Sequence, residues 1–216
     1  MVKIAVRSVV ELLHQAGSAT LATHSTQTPG YPYATVLPYA LDERHRPLLL
    51  VSLLAEHTRN LLADARCSLS VAEPGVEDVQ AHARLTLLAD AEQVALTQAE
   101  TARLSRYLPA APDLLQLDFI VMRLNPLRAR YIGGVGRMGW VEGAELAALP
   151  PMEAERENAL LAEMAGKIPQ EVTVLGLDAW GADYVTAGAP GRSRFWWPEG
   201  RSEQDMAAAL IAGLAV

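Results

Sequence analysis

The chain has 216 residues, of which 50% are hydrophobic and 20% are charged, a balance that is typical of a globular protein and excludes fibrous or low-complexity classes. Its formal net charge of -7 argues against a general binder of nucleic acid or acidic membrane, because phosphate groups are held mainly by Lys and Arg. Charges interrupt the first apolar segment, and no apolar run approaches the length of a bilayer. We therefore expect a cytoplasmic protein.

Cys67 is the only cysteine, which excludes an internal disulfide and a zinc site built from cysteines of one chain. It stands in CSLSV, a half-buried strand pattern in which a lone cysteine is generally a packing residue. The sequence contains none of the motifs of α/β-hydrolases, zincins, dinucleotide-binding or P-loop proteins. We therefore assign Cys67 no chemical role and predict no metal site.

In chain order, an amphipathic helix pattern comes first and short strand patterns then fill the first two thirds of the sequence. Turn segments rich in Pro, Gly, Asn and Asp separate most of them. Strands are predicted over residues 19–24, 31–41, 47–52, 66–72, 81–94, 118–124 and 128–134, and helices over HTRNLLADA and residues 97–108. Many short strands with few helices favour a closed or partly closed barrel in a mainly β fold.

The composition changes after residue 148, where a pair of prolines follows a stretch of small residues and a new amphipathic helix begins near Met152. Three strand patterns and a closing helix follow, and Ser202 with Asp205 resembles a capping box at the start of that helix. We therefore predict two domains, a barrel over residues 1–148 and a small α-β-β-β-α tail over residues 149–216.

Small polar and basic residues cluster in VSLLAEHTRNLLADA, where a buried strand is predicted to end at Ser52 and a helix to begin near His57 or Thr58. The free amides of a helix start, the positive end of its dipole and the adjacent Arg59 together favour an anion such as phosphate. Taken alone, these residues fit a plain helix cap at Thr58 with a solvated Arg59 better than they fit an anion site.

Seven segments give this cluster a context: ATLATH, GYPYATVLPYALD, VSLLAEHTRNLLADARCSLSV, ARLTLLADAEQV, RYL, DFIVMRL and RYIGGVGRMGWV. Their order resembles the pyridoxamine-phosphate-oxidase-like FMN-binding split barrels, in particular their haem-utilisation branch, the HugZ-type proteins. The resemblance covers residues 8–142, and the tail is similar to the small C-terminal domain that accompanies this branch. It implies a Greek-key split β-barrel that binds FMN and forms a homodimer with the cofactor at the interface.

The resemblance also implies where the cofactor binds. The strand end and helix start would hold the phosphate, the backbone around Thr35 and Val36 would face the flavin ring, and Arg84 would lie near the ring or, equally well, point to solvent. Trp140 and the glycine-rich segment before it would border a pocket shared by two subunits, or form a tight turn, with Val135 where the branch usually has an aromatic residue. The implied cofactor-binding set is Thr35, Val36, Val51, Ser52, His57, Thr58, Arg59, Arg84 and Arg137.

Haem is the alternative cofactor, because haem-degrading members of the branch use a histidine of their C-terminal region as an axial ligand. This chain has Arg156 where that histidine stands, and its five histidines are His14, His24, His45, His57 and His82. Haem would therefore need a different ligand, such as His24 or His82. We predict an FMN-dependent oxidoreductase of unassigned substrate and catalytic residue. A haem-binding or haem-degrading protein of iron utilisation, a non-catalytic flavin-binding module and a barrel without cofactor are the alternatives.

Overall fold

A computed structural model describes residues 3–134, 136–198 and 205–214. In the barrel the elements are α1 Val6–Gln15, β1 Ser18–His24, β2 Pro32–Pro38, β3 Ala40–Leu41, β4 Pro47–Ser52, α2 Glu56–Ala63, β5 Arg66–Ala72, β6 Ala83–Val94, α3 Gln98–Tyr107, α4 Ala111–Leu114, β7 Phe119–Gly133, β8 Met138–Glu142 and α5 Gly143–Ala147. The mainly β class predicted for this part of the chain is confirmed.

The eight strands form one antiparallel sheet that curls around a single core. Its order is β2-β1-β5-β6-β7, and the far edge of β7 then pairs first with β4, which carries β3, and further along with β8. Leu21, Leu69 and Leu87 lie side by side on neighbouring strands and are fully buried. Val9 and Leu13 of α1 join the same core, because alternate strand residues and one stripe of the helix face inward.

The end of the barrel differs from the prediction at one strand. Residues 118–124 and 128–134 were predicted as two strands joined by the turn LNPLR, but they form the single strand β7. The pairing with β6 shifts register where Leu88 faces Arg128 and Ala89 faces Pro126, which leaves Leu127 as an extra residue. Pro126 is tolerated there because a bulge absorbs it and because β4 has ended its pairing and β8 has not yet begun.

The tail carries a second, three-stranded antiparallel sheet in the order β11-β10-β9. Its elements are α6 Ala154–Met164, β9 Val172–Leu177, β10 Gly181–Thr186, β11 Ser193–Trp196 and α7 Met206–Leu214, in the predicted α-β-β-β-α order. The capping box expected at Ser202 lies outside the described residues. The boundary near residue 148 stays a prediction, and Leu175 of β9 packs into a core that it shares with Leu48 and Leu104 of the barrel.

None of the helices in the described part of the chain combines the length and the apolar character needed to cross a membrane.

Candidate functional site

The corner between β4 and α2 holds most of the residues predicted to bind a phosphate. Helix α2 begins at Glu56, one to two residues earlier than predicted, and its N-cap is Ala55, which has no capping side chain. Thr58 therefore does not cap the helix. Its side chain is fully buried, and its hydroxyl finds no hydrogen-bond partner among the described residues. The helix start is acidic rather than basic in its first position.

The other residues of this corner differ in how far they reach a ligand. The Ser52 hydroxyl donates to the Asp118 carboxylate and accepts from the Leu54 amide at 3.1 Å, so it shapes the turn after β4. Val51 is buried in the core. His57 is half-buried, and this burial lowers the pKa of its imidazole, whereas Arg59 is exposed. Arg59 is thus the charged group at this helix start that is open to an anion.

Strand β2, an edge strand of the sheet, contacts both α2 and β4. Thr35 is half-buried there, and Val36 is 71% exposed although it lies in a strand. The five predicted residues of β4 and α2 thus share one corner, whereas Val36 borders a separate cavity with Ser18 and Ser70.

The remaining two predicted residues lie elsewhere. Arg84 pairs with Ile132 near the end of β7, whereas Ser52 pairs with Phe119 at its start. The Arg84 guanidinium donates to the carbonyls of Val79 and Gln80 at 2.9 and 3.1 Å, so it holds the loop before β6. Within one chain, Arg84 and Ser52 therefore lie beside opposite ends of β7.

Arg137 lies in the β7–β8 turn, where its guanidinium donates to Ser8 Oγ at 3.0 Å and lies 5.7 Å from the centre of the Tyr131 ring. Gly134 and Gly136 have φ angles of 97° and 79° in this turn, a backbone conformation that glycine adopts without strain. Trp140 is 38% exposed and packs under Arg128, whose guanidinium lies 4.0 Å from the ring centre. Val135 lies outside the described residues.

A groove on the outer face of β1, β5 and β6 borders His24, one of the two histidines named above as alternative haem ligands. Its volume is about 520 Å³, and its wall includes His24, Arg66, Cys67, Leu88 and Leu127. Burial, and to a smaller extent the charge of Asp90, raises the pKa of Cys67 to about 12. The groove therefore combines an imidazole, a guanidinium and apolar side chains with a cysteine that stays protonated.

Sequence reasoning missed a buried polar cluster between the barrel and the tail, here named the His14 cluster: His14, His45, Asp178, Asp183 and Arg194. Each is at most 3% exposed in its side chain or as a whole residue. Burial lowers the pKa of His14 and lowers that of His45 to about 3. Burial alone would raise the pKa of Asp183, but His14 and Arg194 hold it below its usual range. No local motif announces the cluster, because its members come from distant segments.

Comparisons with known proteins agree with this architecture. A family model described as pyridoxamine 5'-phosphate oxidase matches residues 6–132. The non-canonical haem oxygenase HOZ, chloroplastic, of Arabidopsis thaliana is 35% identical over 133 residues, which are 60% of this chain and 40% of that protein. The chain thus spans less than half the length of this relative.

Two solved structures cover nearly the whole chain. A haem-binding protein from Mycobacterium smegmatis is 29% identical with a TM-score of 0.62, over 100% of this chain and 98% of that one. A protein of unknown function from Agrobacterium tumefaciens is 24% identical with a TM-score of 0.73, over 97% and 94% of the two chains. The second likeness concerns the fold alone.

Proposed function

The chain belongs to the pyridoxamine 5'-phosphate oxidase family, and on this premise we propose that it is a haem-binding protein. The observation that carries the proposal is the likeness to the M. smegmatis haem-binding protein, which extends over the barrel and the tail of both chains. The partial likeness to a haem oxygenase supports haem breakdown as the reaction to be tested.

The groove on the outer face of the barrel has the chemistry that haem requires. Its volume of about 520 Å³ falls within the range of roughly 300–1,000 Å³ of ligand pockets. Leu88 and Leu127 would offer apolar surface to a macrocycle, and Arg66, which borders the groove together with Asp90, would be the cation available to a propionate. The Asp64 carboxylate holds this guanidinium at 2.6 Å. Bound haem would supply redox chemistry at its iron.

His24 is the histidine that would hold the iron of a haem bound in this groove. It is exposed at the end of β1 and borders the groove, whereas His14 and His45 are buried and His57 lies on α2. Cys67 also borders the groove, but burial raises the pKa of its thiol to about 12, which disfavours the thiolate form that ligates iron. His82 is exposed and its ring contacts the Asp78 carbonyl at 2.9 Å, away from the groove. It therefore serves as the matched control.

The test is a titration of tag-free protein with haemin, followed by the Soret absorption, for the wild type, His24→Ala and His82→Ala. We expect one haem per chain in the wild type, at least ~10-fold weaker binding with a shifted Soret band in His24→Ala, and no change in His82→Ala, because a lost axial bond weakens the complex. Decay of the Soret band after addition of ascorbate would then measure haem breakdown. Equal spectra and affinities for all three proteins would refute His24 as the ligand.

An FMN-dependent oxidoreductase is the second candidate, favoured by the five predicted residues that β4 and α2 carry at one corner of the barrel. Arg59 and the free amides at the start of α2 are the groups that would hold a phosphate. Ser52 and Thr58 support this less, since one hydroxyl is bonded to Asp118 and the other is buried. Three results together would replace the haem proposal with this one. The wild type would retain FMN through gel filtration, Arg59→Ala would lose it, and haemin would not bind to the wild type.

A homodimer remains part of the proposal. Val36, Leu127 and Trp140 are exposed apolar residues on the outer side of the sheet, and contact with a second copy would remove them from water. Light scattering measures the mass in solution. A mass of one chain at micromolar protein concentrations would exclude the homodimer. The cytoplasmic compartment stays a prediction.

A further inference from the structure

We propose that His14, His45 and Asp178 bind a divalent transition-metal ion of the zinc class, which fastens the tail to the barrel. One ligand atom from each of the three side chains lies within 4.8 Å of the other two. All three residues are buried, with exposures of 0%, 3% and 1%. Two imidazoles and one carboxylate are a donor set that such ions prefer.

The spacing of the donor atoms fits a common ion. His14 Nε2 lies 2.9 Å from His45 Nδ1 and 3.6 Å from Asp178 Oδ2. An ion with bonds of about 2.0–2.1 Å in tetrahedral geometry separates its ligand atoms by about 3.4 Å, between these two values. The ligand atoms of His45 and Asp178 lie within 4.8 Å of each other, so side-chain shifts are needed to close the set around an ion.

The two oxygens of Asp178 have different surroundings. Oδ1 accepts from the amides of Trp180 and Gly181 at 2.8 and 3.1 Å, and from Arg194 at 2.8 Å. Oδ2 is buried and finds no hydrogen-bond partner among the described residues. A buried carboxylate oxygen without a partner is costly, and a metal ion on Oδ2 removes that cost while the other oxygen keeps the side chain in position.

His14 is oriented from behind by a second carboxylate. Its Nδ1 lies 2.5 Å from Asp183 Oδ2, which requires a proton on Nδ1 and therefore leaves the lone pair on Nε2. Asp183 is held in turn by the Tyr107 hydroxyl at 2.8 Å and by Arg194 at 2.7 Å. A carboxylate that accepts the other ring N–H of a histidine is the usual support of a metal-binding imidazole.

His45 is held beside His14 by an unfavourable backbone conformation. Its φ is 62°, and among the residues that the structure describes no other non-glycine residue has a positive φ. Asp42 Oδ1 accepts from the amides of Arg44 and Arg46, both at 2.9 Å, and so closes the turn around His45. The imidazole stacks on Trp180 with ring centres 5.8 Å apart. Strain of this kind persists where surrounding contacts impose it, and it is concentrated at functional sites.

Charge and access are both compatible with an ion. The His14 cluster contains two carboxylates and one guanidinium, that of Arg194, which also lies 3.0 Å from His14 Nδ1. A divalent cation therefore does not enter a cluster that is already positive. A cavity of about 340 Å³ borders His45 together with Arg44 and Asn125, so the set can be approached from the side of His45.

The three ligands come from α1, from the turn between β3 and β4, and from the turn between β9 and β10. Since the last belongs to the tail and the others to the barrel, the energy of metal binding contributes directly to tail docking. This role is independent of haem or FMN at the barrel surface.

The experiment uses tag-free, full-length protein that has been stripped with a chelator, and titrates it with Co²⁺ and Zn²⁺ in the absence of haem. Co²⁺ gives a visible absorption whose intensity reports tetrahedral geometry. We expect one ion per chain and an increase in Tm with Zn²⁺, because an ion that binds only the folded chain stabilises it. His45→Asn, which tolerates the same φ, and Asp178→Asn should each lower the affinity at least ~100-fold, whereas His82→Asn should leave it unchanged.

Absence of stoichiometric Co²⁺ and Zn²⁺ binding by the wild type overturns the proposal, whatever the variants do. Binding that survives unchanged in His45→Asn and Asp178→Asn overturns it as well. If both variants fail to fold, the wild-type X-ray absorption spectrum decides, since two imidazole ligands and one carboxylate are required and a shell without imidazole contradicts the site. A failure of haem binding leaves all of these outcomes intact.

Discussion

The hydroxyl groups of Ser52 and Thr58 show how far a residue type can predict a contact. Both were predicted to face a phosphate, since hydroxyls beside a helix start are common anion ligands. In the folded chain the carboxylate of Asp118, 66 residues away, accepts from Ser52, and Thr58 turns into the interior. The local sequence pattern is the same whether these hydroxyls face a phosphate or bond and pack within the protein. Only the tertiary packing distinguishes the two possibilities.

Cys67 gives a test at this scale. Because burial raises the pKa of its thiol to about 12, we expect the folded chain to react with iodoacetamide at pH 8.5 at least ~10-fold more slowly than the urea-unfolded chain. The rate should still be rising at pH 10, since a raised pKa moves thiolate formation to higher pH. Alkylation followed by mass spectrometry measures both. Equal rates for folded and unfolded chains, or a plateau below pH 9, would contradict the raised pKa.

Helix α2 shows how one buried polar residue positions an element. Asn60 is fully buried, and its carbonyl oxygen accepts from the amide and the hydroxyl of Thr26 at 2.9 and 2.8 Å. Its amide group donates to Thr23 Oγ1 at 3.0 Å. These bonds fasten the helix to β1 and to the loop that leads into β2. The side-chain amide of Asn60 serves the loop amide of Thr26 as the hydrogen-bond partner that a backbone carbonyl would otherwise supply.

We expect Asn60→Ala to lower the free energy of unfolding by about 2 kcal/mol, because it leaves buried polar groups on Thr23 and Thr26 without partners. Leu62→Ala on the same helix is the control, since Leu62 is 53% exposed and its loss should change stability by at most about 0.5 kcal/mol. Urea unfolding measures both. A cost for Asn60→Ala no larger than that of the control would show that these hydrogen bonds do not fasten the helix.

The barrel and the tail are joined by buried charge in addition to the His14 cluster. Arg103 of α3 donates to the Leu41 carbonyl at 2.7 Å, to the Leu177 carbonyl at 3.0 Å and to the carboxylate of Glu157 on α6. Arg106 also contacts that carboxylate, at 2.7 Å. One helix of the barrel is thereby tied to both a helix and a strand of the tail.

Glu157→Gln should lower the free energy of unfolding by about 3 kcal/mol, because it leaves the buried Arg103 charge uncompensated. Glu163→Gln on the same helix is the matched control; its side chain is 59% exposed, and we expect a change of at most about 0.5 kcal/mol. Chemical unfolding followed by tryptophan fluorescence reports on both, since the chain has four tryptophans. A wild-type midpoint for Glu157→Gln would mean that the tail docks without this ion pair.

The sequence by itself determined the class of the fold, the order of its elements and many of their limits. Strands β4 and β5 begin and end where predicted, at 47–52 and 66–72, because alternating apolar residues and flanking turn residues are local signals. The order of segments also indicated the family. These features depend on neighbours in the chain, which a single sequence displays directly.

The tertiary structure decided the features that depend on distant partners. Strand β7 is continuous because β6 pairs along both of its predicted halves, and no local signal shows that pairing. His14 and Asp183 meet across 169 residues, and His45 joins them only through a strained turn. Such contacts depend on how sheets and helices pack. Composition and spacing therefore gave no sign that the fold brings two imidazoles and a carboxylate together, and no metal site was predicted.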